Sequence, residues 1–217
     1  MTAFVDDDVD SVESAPPALH RSRRRLLAGL GVAVAAGAIV AGGYLWAAHS
    51  AVAAVHAGYD AEPVECDTAE VASVDVLHDG YLHPTVPLQD GMTCTLRIHV
   101  SNDGWADARI DAVTVNGFGT DNPLGLRAES VSPNGGTAVG SDDAAAFALS
   151  PEVSIAPGET TLIEVVLSYA GGASMVECSS QGWDIPVVTV SALGATTAVQ
   201  PGEQIFFFQG DPATCAE

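Results

Sequence analysis

Histidine is the residue type in this chain with the most direct chemical use, because imidazole nitrogens bind transition metals. His78, His83 and His99 lie on or beside two early predicted strands. Together with Asp79 and the thioether of Met92, they would supply a set of ligands suited to copper. However, His99 is predicted to point outward and Met92 inward, which favours ordinary exposed histidines. A copper-binding domain is therefore the alternative function, and the favoured function needs no cofactor.

Catalytic motifs are missing from the sequence. It contains no G-x-S-x-G elbow, no H-E-x-x-H zinc motif and no glycine-rich phosphate loop. The cysteines are expected to be paired, which leaves no thiol for covalent catalysis. We therefore expect a protein that is not an enzyme.

The cysteines predict two disulfides. The chain has four of them, Cys66, Cys94, Cys178 and Cys215. An even number of cysteines in an oxidising compartment indicates pairing, and four cysteines allow three pairings. We favour Cys66 with Cys94 and Cys178 with Cys215, since each bond would tie a terminal segment to the body of the domain. A zinc ribbon is not indicated, because the sequence has no C-x-x-C pair.

The element that places these residues in the cell is an apolar segment near the amino terminus. Leu26 to Ala48 contains 23 residues without a charge, and as a helix it would reach about 35 Å, enough to cross a hydrocarbon core of about 30 Å. Basic residues beside such a segment stay in the cytoplasm. Four arginines precede it, Arg21, Arg23, Arg24 and Arg25. We predict a disordered acidic cytoplasmic tail over residues 1–20, a basic flank and single transmembrane helix over residues 21–48, and an extracytoplasmic carboxyl-terminal part.

Export with cleavage is the alternative to a retained anchor. The segment from Ser22 to Leu27 resembles the twin-arginine export signal. Small-x-small cleavage sites lie at Ala48-His49-Ser50 and Ala51-Val52-Ala53. The apolar core of a signal peptide is only about 7 to 15 residues long, so the length of this segment favours the anchor. Either route leaves the following domain outside the cytoplasm.

The outer part is strongly acidic. Residues 60–217 carry 23 Asp and Glu against three Arg, and the chain has no Lys. Such a surface repels nucleic acid, because it gains nothing from the release of phosphate counterions. The heavy use of Ala, Gly, Val and Asp is typical of a GC-rich bacterial genome. We predict a linker over residues 49–65 and one domain over residues 66–217, an ordinary single-domain length.

Alternating apolar residues predict that this domain is all-β. From Met92 to Ser101 every second residue is apolar without a break. A phase slip at Ala112-Val113 indicates a β-bulge. Residues 119–149 are predicted as a long loop. Short strands separated by turn residues favour an antiparallel sandwich.

Three turns share a local pattern. Gln89-Asp90-Gly91, Pro157-Gly158-Glu159 and Pro201-Gly202-Glu203 each precede a β-rich run, and Gly suits the positive φ of a type II turn. The two Pro-Gly-Glu turns, with the strand, Asn102-Asp103-Gly104 turn and strand unit, resemble bacterial immunoglobulin-like and fibronectin-like β-sandwiches. This resemblance implies a fold and no activity.

Aromatic residues give the candidate interaction surface. Trp105 and Trp183 occupy loop-like positions, where an exposed ring can bind a partner. Phe207 is the centre of three consecutive phenylalanines, so an edge strand there would expose a ring; burial by neighbouring loops is the favoured alternative. We expect a noncatalytic, membrane-anchored binding or structural module of a bacterial cell envelope, which presents loops or an edge strand to an envelope protein or polymer.

Overall fold

The computed structural model describes residues 19–75, 80–120, 122–141, 143–171, 180–183, 186–202 and 206–210. Within them, one helix, α1 (Leu19–Ala53), precedes the strands. The strands are β1 (Val55–Cys66), β2 (Ala72–Val74), β3 (His83–Pro87), β4 (Thr93–Asn102), β5 (Ala108–Asn116), β6 (Leu126–Ser132), β7 (Val139–Ser141), β8 (Ala144–Ile155), β9 (Thr160–Tyr169), β10 (Ser180–Gly182), β11 (Val187–Ala192), β12 (Ala195–Val199) and β13 (Phe207–Gln209).

The chain divides into two compact units. The first comprises residues 1–44, and the second comprises residues 45–217. Most of α1 belongs to the first unit, and its last turns belong to the second. By length and composition alone, the apolar stretch Val34–Ala53 in the described part of α1 could cross a membrane, but its last residues are buried in the second unit. This apolar helix agrees with the predicted membrane segment.

The second unit is an antiparallel immunoglobulin-like sandwich. A four-stranded sheet has the order β1-β4-β9-β6, and a five-stranded sheet has the order β12-β11-β5-β8-β7. A third, mixed sheet has the order β10-β13-β3-β2, in which β13 and β3 run parallel. The buried residues of these strands join one hydrophobic cluster. The predicted fold class, an all-β domain after one apolar helix, is confirmed.

Residue alternation places the core as the sequence predicts. Burial along β4 alternates over its whole length, with the even-numbered residues inside. Strand β9 alternates in the same way and pairs with β4 from Thr93 to Ser101. Strand β5 contains a bulge, but it lies just before the predicted position at Ala112-Val113, because the register shifts between Ile110 and Ala112. The extra residue, Asp111, accepts a hydrogen bond from the Ser191 hydroxyl at 3.1 Å.

Two of the three predicted turns have the expected geometry. Glu159 donates its backbone N–H to the Ala156 carbonyl at 3.0 Å, and Gly158 has a φ of 78°. Met92 closes the turn around Gly91 in the same way, also at 3.0 Å. Gly202, in the third turn, does not have a positive φ.

The prediction of a long loop over residues 119–149 is wrong. This stretch contains β6, β7 and the first half of β8. The inward positions of β8 include Ala145, and alanine is a weak strand former, so the sequence carried little β signal. In β6 a register shift between Ala128 and Ser130 interrupts the period of two.

Residues 49–65, predicted as a linker, are ordered instead. Helix α1 continues to Ala53, and β1 begins two residues later at Val55. Strand β1 pairs with β4 from Val55 to Cys66, with a register shift between Tyr59 and Val64. Two small residues of this segment, Ala51 and Ala54, instead lie in close contact with Gly104.

Candidate interaction surface at the helix junction

The end of α1 lies in the core of the sandwich. Ala51 and Val52 are each 1% exposed, and Ala48 and Val55 are also buried. We call Ala48–Val55 together with the loop of residues 102–106 the helix junction. Because Ala51, Val52 and Val55 belong to the hydrophobic cluster of the sandwich, no free segment separates the helix from the sandwich.

The loop after β4 contacts the last turn of α1. Asp103 donates its backbone N–H to the Ala54 carbonyl at 2.9 Å. A Cβ atom on Gly104 would lie 3.3 Å from the Ala54 Cβ and 3.4 Å from the Ala51 carbonyl oxygen. It would also lie only 2.9 Å from the Asn102 Oδ1. Glycine is therefore required here for close approach.

Asn102 organises the helix junction. Its side chain is fully buried, and its Nδ2 group donates to the carbonyls of Ala106 at 2.8 Å and Ile155 at 2.9 Å. Its Oδ1 atom accepts the Gly104 N–H at 3.0 Å. Asn102 thus connects β4, the end of β8 and the loop against α1, and its buried amide is satisfied.

The backbone of Asn102 adds a further connection. Its N–H donates to the Glu159 carbonyl at 3.0 Å, and its carbonyl accepts the Gly158 N–H at 2.7 Å. The asparagine therefore also holds the Pro-Gly turn before β9. Sequence reasoning treated Asn102 only as a turn residue. The missed signal was the position of Asn102 in the alternation of β4. The even-numbered residues of this strand point inward, and residue 102 continues that series.

Exposed aromatic residues surround this junction. Trp105, in the loop between β4 and β5, is 62% exposed, in agreement with its predicted loop position. On α1, Leu45 and Trp46 are exposed, the latter by 75%, a few residues before the buried Ala51. Two acidic residues flank Trp105, and one of them, Asp103, lies 3.9 Å from His56 through its Oδ2 atom.

Trp183 and Phe207 do not form an exposed surface, and this part of the prediction is wrong. Trp183 is 7% exposed and Phe207 5%. Strand β13 lies between β10 and β3, so both of its edges are paired, and the consecutive Phe207 and Phe208, which point to opposite faces, are both buried. The three phenylalanines are core residues, as the favoured alternative held.

Trp183 belongs to an aromatic cluster, which we define as Tyr59, Phe118, Trp183, Phe206 and Phe208. The ring centroids of Trp183 and Phe118 are 3.9 Å apart, and those of Trp183 and Phe208 are 5.0 Å apart. Tyr59 meets Phe206 edge-on at 5.0 Å. Burial raises the pKa of the Tyr59 hydroxyl well above its usual value.

The histidines proposed for copper are not brought together in the described residues. His83 lies on β3, where its ring is 5.3 Å from that of Phe207. His99 lies on β4, with its Nε2 atom 3.5 Å from the Asp60 Oδ2. His78 lies outside the described residues. Among those that are described, no group of three His, Cys, Asp or Glu side chains could hold a metal.

One predicted disulfide is confirmed. Cys66 and Cys94 are bonded, and they are register partners on β1 and β4. Cys178 and Cys215 lie outside the described residues. The four arginines before the apolar segment lie on α1, and their side chains are likewise outside the described part of the structure.

The acidic surface is partly neutralised by pairs across strands. Arg97 on β4 contacts Glu65 on β1 at 2.8 Å and Glu164 on β9 at 3.4 Å. Hydrogen bonds to these two carboxylates raise the pKa of the Arg97 guanidinium. Arg109 contacts Glu152 at 3.0 Å. These exposed pairs fix side chains on the sheet surface and contribute little to stability.

Open cavities on the sandwich are lined by described residues. One of about 670 Å³ is lined by Phe118, Arg127 and Glu129 among others. A second, of about 590 Å³, lies beside the disulfide and is lined by three acidic residues, Glu62, Glu65 and Glu70. The second cavity suits a basic group.

The fold and the helix junction define an immunoglobulin-like sandwich joined to one apolar helix. The sequence matches no protein-family model and no curated protein sequence. A protein from Corynebacterium diphtheriae described as membrane-anchored is similar in structure, with 9% identity and a TM-score of 0.41 over 75% of this chain and 37% of its own. The periplasmic chaperone SfaE gives 10% identity and a TM-score of 0.33 over 68% of this chain and 58% of its own.

A PapD-like domain of human CEP192 gives 10% identity and a TM-score of 0.31 over 68% of this chain and 84% of its own. This chain thus spans less than two thirds of the length of the first two structures. These likenesses concern the fold alone and carry no argument about function.

Proposed function

We propose that this protein is a noncatalytic binding or structural module of a bacterial cell envelope. Helix α1 anchors it in the plasma membrane, with the amino terminus in the cytoplasm and the sandwich outside. The observation that carries this proposal is the continuity of the apolar helix with the sandwich core through the buried Ala51 and Val52. A domain whose core includes the last turn of its anchor helix stays tethered to the membrane.

The charge pattern and the disulfide support the orientation. Four arginines precede the apolar segment, and the next basic residue is Arg97, so the arginine side faces the cytoplasm. The Cys66–Cys94 bond suits an oxidising compartment outside the cytoplasm.

The helix junction favours a retained anchor over cleavage. Cleavage after Ser50 would remove the buried Ala48, and cleavage after Ala53 would also remove Ala51 and Val52. Loss of these apolar side chains from the core lowers the free energy of unfolding by about 3 kcal/mol. A mature domain made by either cleavage would lack part of its own core.

The surface supports a binding role with an envelope protein or polymer. Two acidic residues of the cavity beside the disulfide, Glu62 and Glu70, favour a partner that carries basic groups, whereas the third, Glu65, is paired with Arg97. The edge strands β2 and β6 offer a second mode of binding, in which a partner strand extends a sheet.

The anchor is tested by expressing the full chain with a carboxyl-terminal tag in a bacterial host. We expect a full-length protein that stays in the membrane fraction after high-salt washing and is digested when protease is added to spheroplasts. A control variant with all four arginines changed to alanine should lose much of this orientation. A soluble protein that begins between residues 49 and 54 would refute the retained anchor.

The binding role needs a separate experiment. Chemical crosslinking on intact cells, followed by purification of the tagged chain, should recover an envelope component with the native protein. A Glu62→Gln/Glu70→Gln variant should recover less of a partner that binds through basic groups. Recovery of no envelope component with the native protein would count against the proposed function.

A further inference from the structure

We propose that Trp105 rests in the lipid headgroup layer and, with Trp46, docks the sandwich directly on the bilayer surface. This inference rests on the proposed anchoring by α1. It concerns a new contact of the folded domain with lipid, because Trp105 lies on the loop between β4 and β5 and not on the helix.

The position of the loop along α1 carries the argument. Gly104 packs beside Ala51 and Ala54, and Trp105 follows it directly. Trp46 is five residues before Ala51, which corresponds to about 7.5 Å along a helix. The headgroup layer on each side of a bilayer is about 5 to 8 Å thick. If Trp46 lies in this layer, the loop that carries Trp105 lies at its outer boundary.

The packing of the junction keeps Trp105 at this level. The hydrogen bond from Asp103 to the Ala54 carbonyl, at 2.9 Å, joins the loop to the chain that leaves the helix. The buried amide of Asn102 fixes the loop from the other side. With no linker between the last turn of α1 and the core, the loop cannot move away from that turn without disrupting buried contacts.

The residues of the loop indicate which kind of lipid surface it contacts. An exposed tryptophan has an apolar ring and a polar N–H group, and such rings prefer the membrane–water boundary. Asp103 and Asp107 flank the ring, and their carboxylates would be repelled by anionic lipid. The expected partner is therefore a zwitterionic headgroup layer, into which the ring enters no deeper than the boundary.

Tryptophan fluorescence of the full chain in phosphatidylcholine nanodiscs tests this contact. The chain has three tryptophans, and Trp183 is buried in the aromatic cluster. In a Trp46→Phe variant, lipids brominated near the headgroup should quench the emission at least twofold more than in a Trp46→Phe/Trp105→Phe variant. Equal quenching in the two variants would overturn the proposal.

A third variant separates this proposal from the anchor. Trp105→Phe keeps Trp46, so its emission should be quenched by brominated lipid whenever α1 is inserted. Quenching of Trp46 without quenching of Trp105 would overturn the docking and leave the anchor intact. Quenching of neither would contradict both. Circular dichroism should show the same β structure in all variants, because both changed residues are exposed.

Discussion

The helix junction and the aromatic cluster achieve burial in opposite ways. The junction uses small residues, with Gly104 against Ala51 and Ala54, and satisfies its polar groups through Asn102. The cluster packs large rings such as Trp183 and Phe208. In the sequence, the aromatic run was a candidate binding surface with burial as the favoured interpretation, and the small residues predicted a linker. Their positions in the structure indicate that large rings here serve stability, whereas small residues couple the anchor to the fold.

The largest expected effect is a difference in stability between variants of Trp183 and Trp105, the two tryptophans that the sequence places in loops. Trp183→Ala should lower the free energy of unfolding by about 4 kcal/mol, because it leaves a cavity among Phe118, Phe206 and Phe208. Trp105→Ala, the matched control, should change it by less than about 0.5 kcal/mol, since that ring is exposed. Urea unfolding of the outer unit measures both. Similar losses for the two variants would contradict the assignment of one ring to the core and the other to the surface.

A smaller loss is expected when the hydrogen bonds of the junction are broken. Asn102→Asp replaces a donor by an acceptor, so the carbonyls of Ala106 and Ile155 lose their partner. We expect a loss of about 3 kcal/mol in the same unfolding measurement. Asn116→Asp makes the same chemical change at a partly exposed strand end and should cost less than about 1 kcal/mol. Equal losses of unfolding free energy in the two variants would contradict the role of Asn102 in holding the helix junction together.

The smallest effect tests the close approach of the loop to α1. Gly104→Ala would place a methyl group within 2.9 Å of the Asn102 Oδ1, so we expect a loss of about 1 to 2 kcal/mol from overpacking. At Gly58 on β1, a Cβ atom has no neighbour within 4 Å, and Gly58→Ala should be neutral or slightly stabilising. If thermal denaturation gave the same melting temperature for both variants, the junction would be looser than described.

The sequence predicts the sandwich well where strand alternation is regular. Strand β4, a bulge in β5 and the turn at Gly158 follow from local patterns, because side-chain direction and φ are local properties. The first half of β8 was missed, since alanine gives little strand preference.

The candidate site is less predictable, for a physical reason. Whether Phe207 or Trp105 is exposed depends on which strand covers it, and strand order is a long-range property. Strand β13 pairs with β3, far away in the sequence, and so becomes an interior strand. The burial of Asn102 could be predicted only by extending the alternation of inward residues in β4 by one further position.

The central claim is that the last turns of α1 are part of the sandwich. It is tested most directly by comparing the urea unfolding of residues 45–217 with that of residues 54–217, the product of cleavage after Ala53. The shorter chain lacks the buried Ala48, Ala51 and Val52, so it should be less stable by about 3 kcal/mol. Equal stability of the two chains would mean that the helix end is dispensable, and would contradict the account.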